Sequence, residues 1–146
     1  MNTHKALSPI WSGPLAGLGA GLLSGFVLQQ IWVLTPLPLM VERAPEARVG
    51  WVIHLSISVI FGAVFGAIVR DTERSYGTVL VYGILLGLLV WLIGPLYLIP
   101  VLIGLPPQFA LAGRWLQVGF AYVLYGITVG ALHLLISAKS ERRVYP

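Results

Sequence analysis

The fold is decided by residues 75–113, SYGTVLVYGILLGLLVWLIGPLYLIPVLIGLPPQFALAG, a run of 39 residues without Asp, Glu, Lys or Arg. Three further runs of this kind cover residues 6–41, 49–69 and 115–138, with 36, 21 and 24 residues. A helix needs about 20 predominantly apolar residues to cross a membrane. The sequence therefore predicts four transmembrane helices, at residues 14–35, 51–69, 77–99 and 116–137.

The composition excludes an ordinary soluble domain. Hydrophobic residues make up 58% of the 146 residues and charged residues only 10%, whereas soluble domains carry about 25% charged residues. We therefore expect one all-α integral membrane domain over residues 1–146. The first run follows a single lysine, as a signal peptide would, but it shares its glycine and proline pattern with the third run, which favours a true first helix.

The basic residues indicate the orientation of the chain. If both termini are cytoplasmic, three basic residues lie outside, and six lie inside, namely Lys5, Arg70, Arg74, Lys139, Arg142 and Arg143. Cytoplasmic loops are enriched in Lys and Arg, so we expect cytoplasmic termini in a bacterial inner membrane. This bias also accounts for the net charge of +4, and no nucleic-acid partner is expected.

Each predicted helix contains a Gly-x-x-x-Gly pair, and we assign close packing to Gly21/Gly25, Gly62/Gly66, Gly83/Gly87 and Gly126/Gly130. Small residues one turn apart let the backbones of transmembrane helices approach closely. The pairs predict a tightly packed four-helix bundle with these eight glycines at its helix–helix contacts.

The order of glycines and prolines suggests an internal repeat. When Gly21 is superposed on Gly83, Pro38 falls on Pro100, and the pairs of the second and fourth helices align within two residues. We expect two tandem parallel-repeat hairpins, residues 14–70 and 77–137; chance is the alternative in a chain with 17 glycines and 10 prolines. Pro95 should bend or break the third helix, and the proline-rich outer ends of helices one and three should be irregular.

Polar and aromatic residues collect in the outer half of the predicted bundle. In the predicted orientation, that half contains Gln29, Gln30, His54, Trp91 and Tyr122. Polar residues within membrane spans are often functional, so these five predict an outward-facing cavity for a small ligand, lipid or pigment. The alternative is that they form hydrogen bonds with neighbouring helices.

The histidines are the candidate cofactor ligands. His54 and His133 are predicted near opposite membrane surfaces, about 20 Å apart at 1.5 Å per helical residue, so one chain cannot clamp a haem between them. His54 could ligate a pigment or serve as a hydrogen-bond donor beside Trp51. The chain has no cysteine, which excludes thiolate ligands and disulfides, and no metal site is predicted.

The predicted spans carry no Asp, Glu, Lys or Arg. Ion-coupled carriers usually place one near the midplane, and no nucleophile with a neighbouring base is recognisable. We therefore expect neither an ion-coupled carrier nor an enzyme, and no catalytic residue.

Two motifs resemble a broad group of uncharacterised bacterial and archaeal four-helix membrane proteins. The group has a Trp-x-x-Gly-Pro-Leu-x-x-x-Pro helix followed by a Tyr-Gly-x-x-x-Gly helix, and the matching residues here are Trp91, Gly94, Pro95, Pro100, Tyr125, Gly126 and Gly130. Members often have a histidine where this chain has Phe120, Ala121 or Tyr122. The resemblance implies the four-helix topology and no established activity.

The leading functional prediction is a non-enzymatic accessory or structural subunit of a larger membrane complex, respiratory or photosynthetic. It depends on the small size, the short loops, the uncharged spans, and more small-residue surface than one bundle needs internally. The alternative is a small homo-oligomeric channel or carrier that uses the outer cavity. The third is a lipid- or pigment-binding protein.

Overall fold

The computed structural model describes residues 8–31, 33–34, 46–70, 75–107 and 113–142. This part of the chain is helical and contains no strand. Its helices are α1 (Ser8–Gln30), α2 (Ala47–Val69), α3 (Tyr76–Ile93), α4 (Ile99–Leu102) and α5 (Arg114–Arg142), with a π-helical turn, Gly94–Leu98, between α3 and α4. Four stretches are long and apolar enough to cross a membrane: Trp11–Gln30, Ala47–Val69, Tyr76–Leu102 and Arg114–Ala138. The prediction of an all-α, multi-pass membrane protein is confirmed.

The helix ends differ from the predicted limits. α1 begins at Ser8 and continues through Pro14, although proline cannot donate to the carbonyl four residues before it. α5 extends to Arg142, beyond the predicted end at residue 137. Hydropathy marks where a helix lies in lipid, and a helix can continue past that limit into the headgroups and water.

Pro95 alters the third helix without ending it. The backbone widens into the π-helical turn, in which the Ile99 N–H donates to the Gly94 carbonyl, and α-helical geometry resumes in α4. A π turn inside a membrane helix keeps backbone groups paired where proline removes a donor. The span therefore runs from Tyr76 to Leu102.

A Schellman motif ends α4. Gly104 has a φ of 77°, and its N–H donates to the Val101 carbonyl over 3.1 Å, while the Leu105 N–H donates to the Pro100 carbonyl over 2.8 Å. Glycine adopts this left-handed conformation without a steric penalty. The end of the third span is therefore an ordered stop. The corresponding prolines after α1, Pro36 and Pro38, lie outside the described residues.

The helices pack side by side in the order α2, α1, α5, α3. α1 packs extensively against both α2 and α5, and α3 packs against α5. α2 and α3 approach each other at only a few residues. We call this weakly packed boundary the α2–α3 seam.

Two apolar clusters fill the interior. One is centred on Phe65, Tyr125 and Val129, and the other on Leu28, Trp91 and Val118. Large apolar side chains also cover the outside, including Leu22, Phe26, Ile60 and Leu89. Such an exterior suits a bilayer, where the lipid tails are as apolar as leucine.

Candidate functional site

At a set of glycines, the backbone of α1 lies directly against the backbone of α2. A methyl carbon placed on Gly62 would lie 2.5 Å from both the carbonyl oxygen of Gly13 and the Cα of Gly17. A methyl carbon on Gly66, one turn further along α2, would lie 2.8 Å from the Cα of Gly13. The backbone partners of the Gly62/Gly66 pair are therefore Gly13 and Gly17, although the segment GPLAG that contains them was not among the predicted pairs.

The predicted α1 pair has a different environment. Gly21 packs against the side chain of Ser58, and Gly25 packs against the rings of Trp51 and His54. Both glycines are buried at the α1–α2 contact, but they accommodate side chains rather than the backbone of α2. Gly21 and Gly25 thus lie at a helix–helix contact, as predicted, while Gly13 and Gly17 bring the backbone of α1 against that of α2.

A matching contact joins α3 to α5. The backbones of Gly83 and Gly126 face each other, Gly87 faces the Tyr122 carbonyl, and a methyl carbon on Gly130 would lie 3.3 Å from the Val79 carbonyl oxygen. The eight predicted glycines are all buried inside the chain. None of them is left over for an external partner, so the expected surplus of small-residue surface does not come from these pairs.

His54 connects α2 to α1 through a hydrogen bond. Its Nε2 lies 3.0 Å from the Gly21 carbonyl oxygen and 3.5 Å from Ser24 Oγ, and its ring meets the Trp51 ring edge-on at 6.2 Å between centroids. Nε2 must carry the proton to donate to a carbonyl, so this nitrogen cannot ligate a pigment, and only Nδ1 keeps a free lone pair. The contacts of His54 fit the hydrogen-bond alternative, and the pigment-ligand alternative stays a prediction.

Tyr125 makes a second connection between helices. Its hydroxyl on α5 donates to the Ser58 carbonyl on α2 over 2.7 Å. From the sequence, Tyr125 entered only as part of the resemblance motif and was not placed in a site. Its position directly before a Gly-x-x-x-Gly pair could have indicated it, because a side chain beside a close backbone contact can reach the next helix.

A small cavity lies between these connections. Its volume is about 40 Å³. Its polar lining comes from Ser24, His54, Ser58, Tyr122 and Tyr125. We call it the central cavity.

The apolar lining lies on the side of the α2–α3 seam. It includes Ile57 and Phe61 of α2, Val90 of α3 and Ile99 of α4. The cavity is thus lined mainly by apolar surface, with a few uncharged polar groups.

The central cavity contains two of the five predicted cavity residues, His54 and Tyr122. Gln30 is exposed on α1. Gln29 Oε1 and Trp91 Nε1 are buried without a hydrogen-bond partner in the described part of the chain, and neither residue lines the cavity. The ring of Trp91 covers Gly119, where a methyl carbon would lie 2.8 Å from Trp91 Cε2, so Trp91 acts as a core residue.

His133 lies apart from the cavity. It is buried, and its ring contacts Phe65 edge-on at 5.8 Å between centroids. Its Cε1 lies beside Gly66, where a methyl carbon would be 3.7 Å away. Its Nδ1 has no hydrogen-bond partner among the residues that the structure describes. Within the same residues, no three His, Asp or Glu side chains form a group that could hold a metal ion.

No family model, curated protein or solved structure matches this chain. The site is therefore interpreted from its own geometry.

We expect Tyr125→Phe to lower the free energy of unfolding by about 1 kcal/mol, because it removes the hydroxyl that donates to the Ser58 carbonyl. Unfolding by sodium dodecyl sulfate in mixed micelles, followed by circular dichroism, measures the change. Tyr76→Phe is the matched control, since Tyr76 is 71% exposed. Equal stability of the two variants would show that the interhelical hydrogen bond contributes nothing measurable.

Proposed function

We propose that the protein is a non-enzymatic accessory or structural subunit of a larger membrane complex, of the respiratory or photosynthetic kind, in the bacterial inner membrane. The observation that supports this most is the continuous packing of α2, α1, α5 and α3. Each outer helix is joined to an inner one through glycine backbones, and the two inner helices pack along each other.

This packing suits a rigid structural part. Alternating-access carriers move one helical unit against another, and such motion here would have to separate α1 from α5. The Tyr125–Ser58 hydrogen bond also ties the second hairpin to the first. The geometry therefore favours a structural role over the carrier alternative.

The chemistry of the spans supports the same proposal. Residues 49–69, 75–113 and 115–138 contain no Asp, Glu, Lys or Arg, and two of the buried polar side chains, His54 and Tyr125, bond to backbone carbonyls of other helices. Groups used in this way stabilise a bundle. They leave little chemistry for a reaction.

We also propose cytoplasmic termini and a tandem duplication. The orientation rests on the excess of basic residues on the proposed inner side. For the duplication, the contacts of Gly13 and Gly17 with Gly62 resemble those of Gly83 and Gly87 with Gly126. In the first helix of each hairpin, these contacts superpose Gly13, rather than Gly21, on Gly83. In the second helix, superposing Gly62 on Gly126 also places Trp51 on Trp115.

Co-migration on a native gel tests the subunit proposal. Solubilised from its own membrane in a mild detergent, the protein should migrate with other subunits in a large band. A harsher detergent should release it as a small species, which provides the control. Migration as a lone monomer or small homo-oligomer under the mild condition contradicts the proposal.

A further inference from the structure

We propose that the α2–α3 seam binds one neutral lipid, with the hydroxyl of its head in the central cavity and its chains along the seam. The inference concerns the isolated protein and does not depend on the subunit role. It rests on the volume, the lining and the position of the central cavity.

The volume limits what the cavity can hold. One water needs about 10–15 Å³ of such space, so 40 Å³ admits only a group of a few non-hydrogen atoms. A porphyrin or a complete lipid does not fit. The polar end of a longer molecule fits, provided that the rest of it lies outside the cavity.

The lining selects an uncharged, hydrogen-bonding group. Serine, tyrosine and histidine side chains supply the polar atoms, and no Asp, Glu, Lys or Arg is among the residues that line the cavity. A phosphate placed there would lose its hydration without gaining a cation. A hydroxyl suits it better, because serine and tyrosine hydroxyls both donate and accept.

Tyr122 supplies a further hydroxyl for such a group. It lines the cavity together with Tyr125, whose hydroxyl already donates to the Ser58 carbonyl. A tyrosine hydroxyl can both donate to and accept from a ligand hydroxyl. Tyr122 is therefore the residue that we expect a ligand hydroxyl to meet in the cavity.

The position of the seam provides access from the bilayer. α2 and α3 barely contact each other, and the cavity boundary on this side is apolar: Ile57, which is 36% exposed, lies beside Phe61 and Ile99. An acyl chain can lie against such side chains without loss of hydration. A molecule dissolved in lipid therefore reaches the central cavity more directly than a solute from water.

Native mass spectrometry of the purified protein tests the inference with three probes. Dioctanoylglycerol has a neutral hydroxyl head, dioctanoyl phosphatidate has the same chains with an anionic head, and glycerol has the hydroxyls without chains. We expect one bound dioctanoylglycerol, with affinity at least about tenfold above that of phosphatidate. Equal binding of phosphatidate, or displacement by equimolar glycerol, overturns the proposal.

Two pairs of variants locate the bound lipid. Tyr122→Phe should weaken dioctanoylglycerol binding about fivefold, whereas Tyr76→Phe on the exposed start of α3 should not change it. Ile57→Trp should obstruct the cavity boundary and reduce binding. Ile60→Trp should not, because Ile60 of α2 is 61% exposed. Equal behaviour within both pairs overturns the assigned site. Circular dichroism checks that each variant is folded. If a variant does not fold, the three probes on the unaltered protein still test the proposal.

Discussion

Gly62→Ala should lower the free energy of unfolding by about 3 kcal/mol, since it forces extra atoms into a filled interior. The added methyl carbon would lie 2.5 Å from Gly17 Cα and from the Gly13 carbonyl oxygen. These are backbone atoms, so no side chain can rotate away, and α1 and α2 must separate along their contact. Titration with sodium dodecyl sulfate in mixed micelles, followed by circular dichroism, measures the loss.

Gly77→Ala is the control for this substitution. Gly77 is exposed at the start of α3, and the nearest atom to its added methyl carbon would be Ser75 Oγ at 3.9 Å. Alanine there should be neutral or stabilise the helix by up to about 1 kcal/mol, because glycine is the poorer helix former. If Gly62→Ala is as stable as Gly77→Ala, the close approach of α1 and α2 is refuted.

Trp91→Ala should cost about 3 kcal/mol, mainly through the cavity that it leaves. Trp91 is 8% exposed, covers Gly119 and packs in the cluster with Leu28 and Val118. Lipid tails provide no hydrophobic driving force between helices, so the loss arises from missing packing contacts rather than from transfer to water. The same titration by circular dichroism applies, because it does not depend on tryptophan fluorescence.

Trp11→Ala is the control for Trp91→Ala. It shows how much stability is lost when an indole is removed from a position outside the core. Trp11 is 57% exposed on α1, so its removal should change the stability by no more than about 0.5 kcal/mol. A similar loss for the two variants would mean that Trp91 is not a core residue.

The spans were predictable because hydropathy records which residues lie in lipid, and this depends on composition alone. The order of the helices in the bundle was not predictable, because the same four apolar segments can be arranged around one another in several ways. This explains why Gln29, Gln30 and Trp91 do not line the central cavity: their depth followed from the sequence, but the direction they face depends on which helix is the neighbour. α1 lies between α2 and α5, so the central cavity formed on the side of Ser24 and Leu28 instead.

The sequence predicted which glycines lie at close helix contacts, but not all of their partners. The four glycine pairs indicated backbone-level packing, and all eight residues are buried. Spacing alone did not show that Gly62 and Gly66 would meet Gly13 and Gly17 in α1, because it carries no information on the register of one helix against another. Tyr125 was missed for a related reason. A hydroxyl that donates to a backbone carbonyl on another helix leaves no partner residue in the sequence to recognise.

The middle position of α1 also constrains the order in which the bundle can assemble. α1 is synthesised first, but its second neighbour, α5, is synthesised last, and Ala16 and Ala20 share a cluster with Tyr125 and Val129. The α1–α2 hairpin can form while the chain is still being made. The α1 face that later meets α5 must wait in the bilayer, surrounded by lipid, until the second hairpin arrives. Docking of the two hairpins must then follow the synthesis of α5, and it brings together α1 and α5, the described helices that lie farthest apart along the chain.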